Sequence, residues 1–207
     1  MKMLMILVYL IIQTSTCLID LIKLQQNQDI ITDCNYTFEE AVKGIDIPNS
    51  ILKQLTLIDV EYYSFDDRLH KGQLIVNKKV EKDIEEIFYF IKESKFPIAK
   101  VIPAKKYNWN DESSMNDNNT VAFNYRIVKG SKVLSAHSNG MAIDINPLQN
   151  PHIKGKVIHP SSGKYDVNVR GTIIRDSELV KEFVKRNWQW GGRWKSSRDY
   201  QHFEKKD

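Results

Sequence analysis

Apolar positions along the chain follow helical, alternating and continuous patterns in turn, and these outline the elements. In KKVEKDIEEIFYFIKES, Val80, Ile84, Ile87, Phe88 and Ile91 recur at helical spacing while Lys and Glu fill the other face, which predicts an amphipathic helix. A second helix is predicted over residues 177–187, with Leu179, Val180, Phe183 and Val184 on one side. FEEAVKG and NSILKQL read as short helices divided by Pro48. Strand formers dominate residues 57–65, 71–77, FPIAKVIPA and 121–128. In GMAIDIN the pattern alternates: Met141, Ile143 and Ile145 face one way, and Gly140, Ala142, Asp144 and Asn146 the other. Residues 107–120 are polar and read as a long loop, as does the stretch holding Pro147, Pro151 and Pro160. Helices and strands mix without βαβ alternation. The expected class is therefore α+β, a single domain with a small, mainly antiparallel sheet flanked by helices.

The first stretch departs from these patterns. Lys2 precedes an apolar run, MLMILVYLII, that is short for a bilayer and is followed by QTSTC. Residues 1–26 are therefore expected to be a secretory signal peptide or, if uncleaved, an N-terminal anchor. The chain is then exported, and only this segment contacts a membrane. Cys17 lacks a Leu three positions before it, so lipidation is not expected. Residues 27–56 read as a linker with short helices, and 57–207 as the working domain.

Composition adds exclusions. Hydrophobic residues make up 42% of the chain, ample for a packed core, and two cysteines cannot build a disulfide framework. The net charge of +4 comes from lysines scattered along the chain, which argues against nucleic-acid binding. No heptads suggest assembly, so a monomer is expected.

The candidate chemistry centres on SAHSNGMAIDINP. If GMAIDIN is a strand, Asp144 shares its face with Gly140 and Ala142, whose small side chains leave space for an ion, and His137 on the preceding loop can reach it. His202, in DYQHFE, is the candidate third ligand. Two histidines and a carboxylate with a fourth position open is the donor set of a catalytic zinc. Asp199, three residues before His202, suits a general base acting on water at that position. Arg126 is a candidate cation for a substrate carboxylate or a developing oxyanion. Taken singly, each residue also reads as an ordinary polar group: a hydrogen-bonded histidine, or an aspartate in a turn. His70, His152 and His159 are read that way.

The two stretches SAHSNGMAIDINPLQNP and WQWGGRWKSSRDYQHFE resemble the zinc D-alanyl-D-alanine carboxypeptidase family, in its VanY-like and L-alanyl-D-glutamate peptidase branch with the hedgehog/DD-peptidase fold. The pattern Ser-x-His, Gly-x-Ala-x-Asp and Asp-x-x-His falls on Ser135, His137, Gly140, Ala142, Asp144, Asp199 and His202, and the resemblance extends over residues 57–204. It implies one zinc ion held by His137, Asp144 and His202, with Asp199 as base and Arg126 at the scissile carbonyl or the substrate. Ser135 is implied beside a ligand or the substrate. Trp190, with Gly191 and Gly192, matches an element before the last ligand and reads first as packing and a tight turn, second as a substrate contact. Ser138-Asn139 and Gly140-Met141 stand where the family often has an aromatic residue and a Gly-Arg pair. The implied activity is hydrolysis of amide bonds in peptidoglycan stem peptides, at L-Ala–D-Glu or at the terminal D-Ala. A carboxypeptidase needs a cation for the free carboxylate, for which Arg126, Lys129 and Lys132 are candidates. The alternative is a non-catalytic zinc-containing wall- or ligand-binding domain of the hedgehog-like fold; a general base at Asp199 argues for the enzyme.

Overall fold

The strand formers of residues 55–63 and 69–77 become the centre of the architecture. The computed structural model describes residues 30–128 and 132–206, and Thr32–Asp207 forms one compact unit. The segment expected to be a signal peptide or anchor lies outside the described residues, as does Lys129. The elements in chain order are β1 (Ile31–Thr32), α1 (Phe38–Ala41), α2 (Asn49–Leu52), β2 (Leu55–Tyr63), β3 (Leu69–Asn77), α3 (Glu81–Glu93), β4 (Lys100–Val101), α4 (Asp111–Asn116) and β5 (Asn119–Thr120). They continue with β6 (Ala142–Asp144), β7 (His152–Lys154), β8 (Val157–His159), α5 (Glu178–Val184), β9 (Trp188–Trp190), β10 (Arg198–Asp199) and β11 (His202–Lys205). The class is α+β, with small separate sheets in which the β2–β3, β6–β11, β9–β11, β7–β8 and β7–β10 ladders are antiparallel and the β4–β5 pair is parallel.

β2 and β3 form a long hairpin in register from Leu55↔Asn77 to Tyr63↔Leu69. β3 is buried along almost its whole length because both of its faces are covered. α3 lays Ile84, Ile87, Phe88 and Ile91 into a core shared with Leu74 and Val76, while Ile75 joins Leu55 and Phe123 on the other side. Each such side chain contributes roughly 1.5–3 kcal/mol on burial. Gly72 allows β4 to lie directly on the hairpin, since a Cβ there would stand 2.2 Å from the Val101 carbonyl oxygen.

The second layer carries the candidate site. β11 is the middle strand of a sheet ordered β6–β11–β9. Its Phe203 lies opposite Ile143 and Trp190, stacks on Phe183 of α5 at 3.7 Å, and joins the same core as α3. β7, flanked by β10 and β8, forms a further small sheet.

Three sequence expectations change. Residues 121–128 form no continuous strand: Val121 bridges Asp144 and Ile127 bridges Leu134, while the Asn124 and Arg126 amides donate to the His137 carbonyl and to Ser138 Oγ. The backbone groups that would have made a ladder hold the His137 loop instead. The polar stretch 107–120 contains a helix, α4, because Asn110 caps it by accepting from Ser113 N–H, with Asp111 and Glu112 in its first turn. Val184 ends α5 exposed and is not on its buried side, unlike Leu179, Val180 and Phe183.

Candidate metal centre

His137 sits in a single 3₁₀ turn, Ala136–Asn139, that follows from its flanking residues. Ser135 caps the turn, its Oγ accepting from His137 N–H at 3.3 Å. Gly140 closes it at φ +66°, where side-chain-bearing residues are strained. A Cβ on Gly140 would also meet Asn77 N at 2.6 Å and the Val76 carbonyl carbon at 2.9 Å. The turn is thereby seated against the end of β3, where Asn77 N–H donates to the Gly140 carbonyl. Immediately downstream, β6 pairs with β11 so that Asp144 stands opposite His202. Directly opposed residues of an antiparallel pair share a face, which brings two candidate ligands 58 positions apart side by side.

All three side chains are buried and converge. His202 Nδ1 is 2.9 Å from Asp144 Oδ1, His137 Nε2 is 3.1 Å from His202 Nδ1, and His137 Nε2 is 3.3 Å from Asp144 Oδ1. Each imidazole spends its other nitrogen elsewhere. His137 Nδ1–H donates to the Ala122 carbonyl at 2.8 Å, and His202 Nε2 faces Glu204 Oε2 at 3.5 Å. Those contacts select the tautomers that turn both lone pairs toward Asp144. Three acceptors thus share one point, an arrangement that needs a proton or a cation between them. Donors about 2.0–2.1 Å from a tetrahedral zinc stand about 3.3 Å apart, close to the observed triangle. The residues present fit the ion.

The electrostatics agree. Burial alone would raise the Asp144 carboxyl, yet His137 and His202 hold it far below the usual range. Burial would likewise lower His202, but hydrogen bonds to Asp144 and Glu204 push it up to about 10. Glu204, at the rear of His202, is held low chiefly by that same histidine.

Asp199 lies on β10, just upstream. Its Oδ1 is enclosed and has no hydrogen-bond partner among the described residues. Burial first, then the charge of Asp144, raises its pKa. Gly191 packs against it: a Cβ there would lie 2.7 Å from the Asp199 carbonyl oxygen and 2.9 Å from its Cβ.

The other sequence candidates take different places. The Arg126 guanidinium pairs with Asp111 at 3.0 Å and not with the triad, although its backbone is tied to Ser138 and Ser135 in the His137 loop. Trp190 is buried, donates from Nε1 to the Tyr200 carbonyl at 2.9 Å, and closes over Gly192, which has no room for a Cβ against its ring. Lys132 is exposed. His70 is held between Asp33 and Asp66. Sequence reasoning missed Glu204, the Ala122 carbonyl and Asp111. Glu204 was within reach, since two residues beyond His202 on a strand it falls on the same face; the other two depend on how a non-strand segment crosses the molecule.

Trp194, half-buried, flanks His202 at a ring distance of 5.3 Å. No curated protein and no solved structure matches the chain. Residues 129–205, a stretch that takes in Ser135, His137, Asp144, Trp190, Asp199 and His202 but not Arg126, match the family model described as D-alanyl-D-alanine carboxypeptidase.

Proposed function

We propose that the chain is an exported zinc peptidase that hydrolyses amide bonds in peptidoglycan stem peptides. The observation that carries this reading is the buried His137–Asp144–His202 triangle with Asp199 beside it, whose enclosed Oδ1 has no hydrogen-bond partner among the described residues. The family-model match over residues 129–205 supports the substrate class, and the apolar run before QTSTC supports export. Among the described residues no helix is long and apolar enough to cross a membrane.

His137, Asp144 and His202 would hold the ion, which when bound lowers the pKa of water and polarises a carbonyl. Asp199 does the proton work. Its enclosed carboxyl takes a proton from the attacking water and passes it to the leaving amine nitrogen, so that one C–O bond forms as the C–N bond breaks. The raised pKa of Asp199 suits both halves of that task, because a carboxyl too acidic would not carry the proton forward. Glu204 and the Ala122 carbonyl keep the two imidazoles in the required tautomer. Asp111 holds the Arg126 guanidinium at the edge of the His137 loop, from which it meets a substrate carboxylate or carbonyl oxygen.

The test is incubation of the full chain with defined muropeptides, with and without chelator, and product analysis by mass spectrometry. Chelator-sensitive loss of one terminal alanine identifies a D,D-carboxypeptidase. Release of a peptide beginning with D-Glu identifies an L-Ala–D-Glu endopeptidase. No cleavage by folded, zinc-loaded protein overturns the reading in favour of a binding domain.

A further inference from the structure

One ionisable side chain borders Asp199 without any part in the chemistry above. His152 opens β7, and the pairing of β7 with β10 sets it directly opposite Asp199. Opposed residues of an antiparallel pair share a face, with Cβ atoms about 4.5–5.5 Å apart. Both side chains hold an enclosed atom with no hydrogen-bond partner among the described residues, Nε2 of His152 and Oδ1 of Asp199. Unpartnered enclosed polar atoms are costly to keep. Here two lie on neighbouring side chains, one able to donate and the other to accept.

We infer that His152 is a positioning residue for Asp199: its Nε2–H engages one oxygen of the carboxylate and leaves the other oxygen aimed at the attacking water. The inference rests on the reading of Asp199 as the general base. The remaining surroundings of Asp199 leave this duty to His152. Asp144, His202 and His137 also act on the carboxyl, but the convergent nitrogens of both histidines are committed to the metal point. The 3₁₀ turn Gly191–Arg193, packed on β10, presents bare glycine backbone to Asp199, and its one charged side chain, Arg193, donates to the Arg175 carbonyl. On its other flank His152 faces His159 of β8, so the row runs Asp199, His152, His159 across three strands.

The experiment compares wild type, His152→Ala and His152→Gln as full-length zinc-loaded proteins, and adds imidazole ¹⁵N NMR of wild type and Asp199→Asn. His152→Ala is expected to lower kcat roughly ten- to hundredfold with little change in KM, zinc content or melting temperature. The acid limb of its pH profile should move to higher pH. His152→Gln, which keeps a donor, is expected to recover most of kcat. The His152 ring resonances should shift in Asp199→Asn, with or without zinc. Unchanged kcat in His152→Ala overturns the inference, and so does equal loss of zinc or folding in both His152 variants. Ring resonances indifferent to Asp199→Asn overturn it independently of activity. A wild type inactive on every muropeptide with ring resonances that do shift removes the proposed activity and leaves the His152–Asp199 contact standing.

Discussion

In the proposed peptidase Asp199, whose enclosed Oδ1 has no hydrogen-bond partner among the described residues, is the residue that separates a hydrolase from a metal-holding scaffold. Replacing it with Asn keeps size and polarity but removes the proton carrier. The expected result is a loss of about 10²- to 10⁴-fold in kcat with zinc still bound at one equivalent, measured by steady-state kinetics and metal analysis. Glu204 stands behind His202, one of the three residues that would hold the ion. Glu204→Gln should weaken zinc affinity roughly 10- to 100-fold, read by competition with a chromogenic chelator. The pH dependence of that affinity follows from His202. In zinc-free protein its pKa is pushed up to about 10, so below that pH the ring carries a proton that zinc must displace. Affinity should therefore rise with pH through the neutral range, by about tenfold per unit, and titration calorimetry in buffers of different ionisation enthalpy should show the released proton. An affinity flat across that range would mean that His202 binds no proton there and that the hydrogen bonds to Asp144 and Glu204 do not act as described.

At the scale of elements, the ligand loop depends on a backbone conformation that side chains resist. Gly140 and Gly155 both have positive φ, +66° and +60°, but a Cβ at Gly155 would meet nothing within 4 Å. Gly155→Ala should then cost only about 1–2 kcal/mol, the strain of the left-handed region. Gly140→Ala adds a collision with the Asn77 amide and should cost at least about 2 kcal/mol more, together with loss of zinc as His137 is displaced. Urea unfolding of the two variants checks the difference. Legibility followed the same division. α3 was readable because five apolar positions recur on one face, and β2 and β3 as separate strands because they are rich in strand formers, while their pairing as a hairpin came from the structure. Residues 121–128 misled because Val, Phe, Tyr and Ile suit a strand wherever they occur, while the amides of Asn124 and Arg126 donate to the His137 turn instead of to a neighbouring strand. α4 was hidden by polar residues that favour loops in general and helix N-termini in particular.

For the whole molecule, the question is whether zinc builds the fold or only completes it. His137 and Asp144 were legible as a pair from their spacing and the alternation of GMAIDIN, but His202 was placed by a motif. Nothing local to DYQHFE states that it pairs with β6 in the register that sets His202 against Asp144. That register is imposed from the opposite face, where Ile143 and Phe203 are fully buried among α3, α5 and the hairpin. The same packing decides the outcome of metal removal. Because Ile143 and Phe203 anchor β6 and β11 in a core cluster that, among the described residues, includes none of His137, Asp144 and His202, the chelated protein should remain folded. Zinc at about a thousand times its Kd would add about 4 kcal/mol, so the melting temperature should fall by roughly 8–16 °C on chelation and return when zinc is restored. Hydrogen exchange should rise around the His137 turn and along β6 and β11, where three convergent acceptors lose their shared cation, and stay unchanged in β2, β3 and α3. Collapse of the whole fold on chelation would instead make the ion a structural one, as in small domains that cannot fold without metal, and would move the weight of the argument from catalysis to binding.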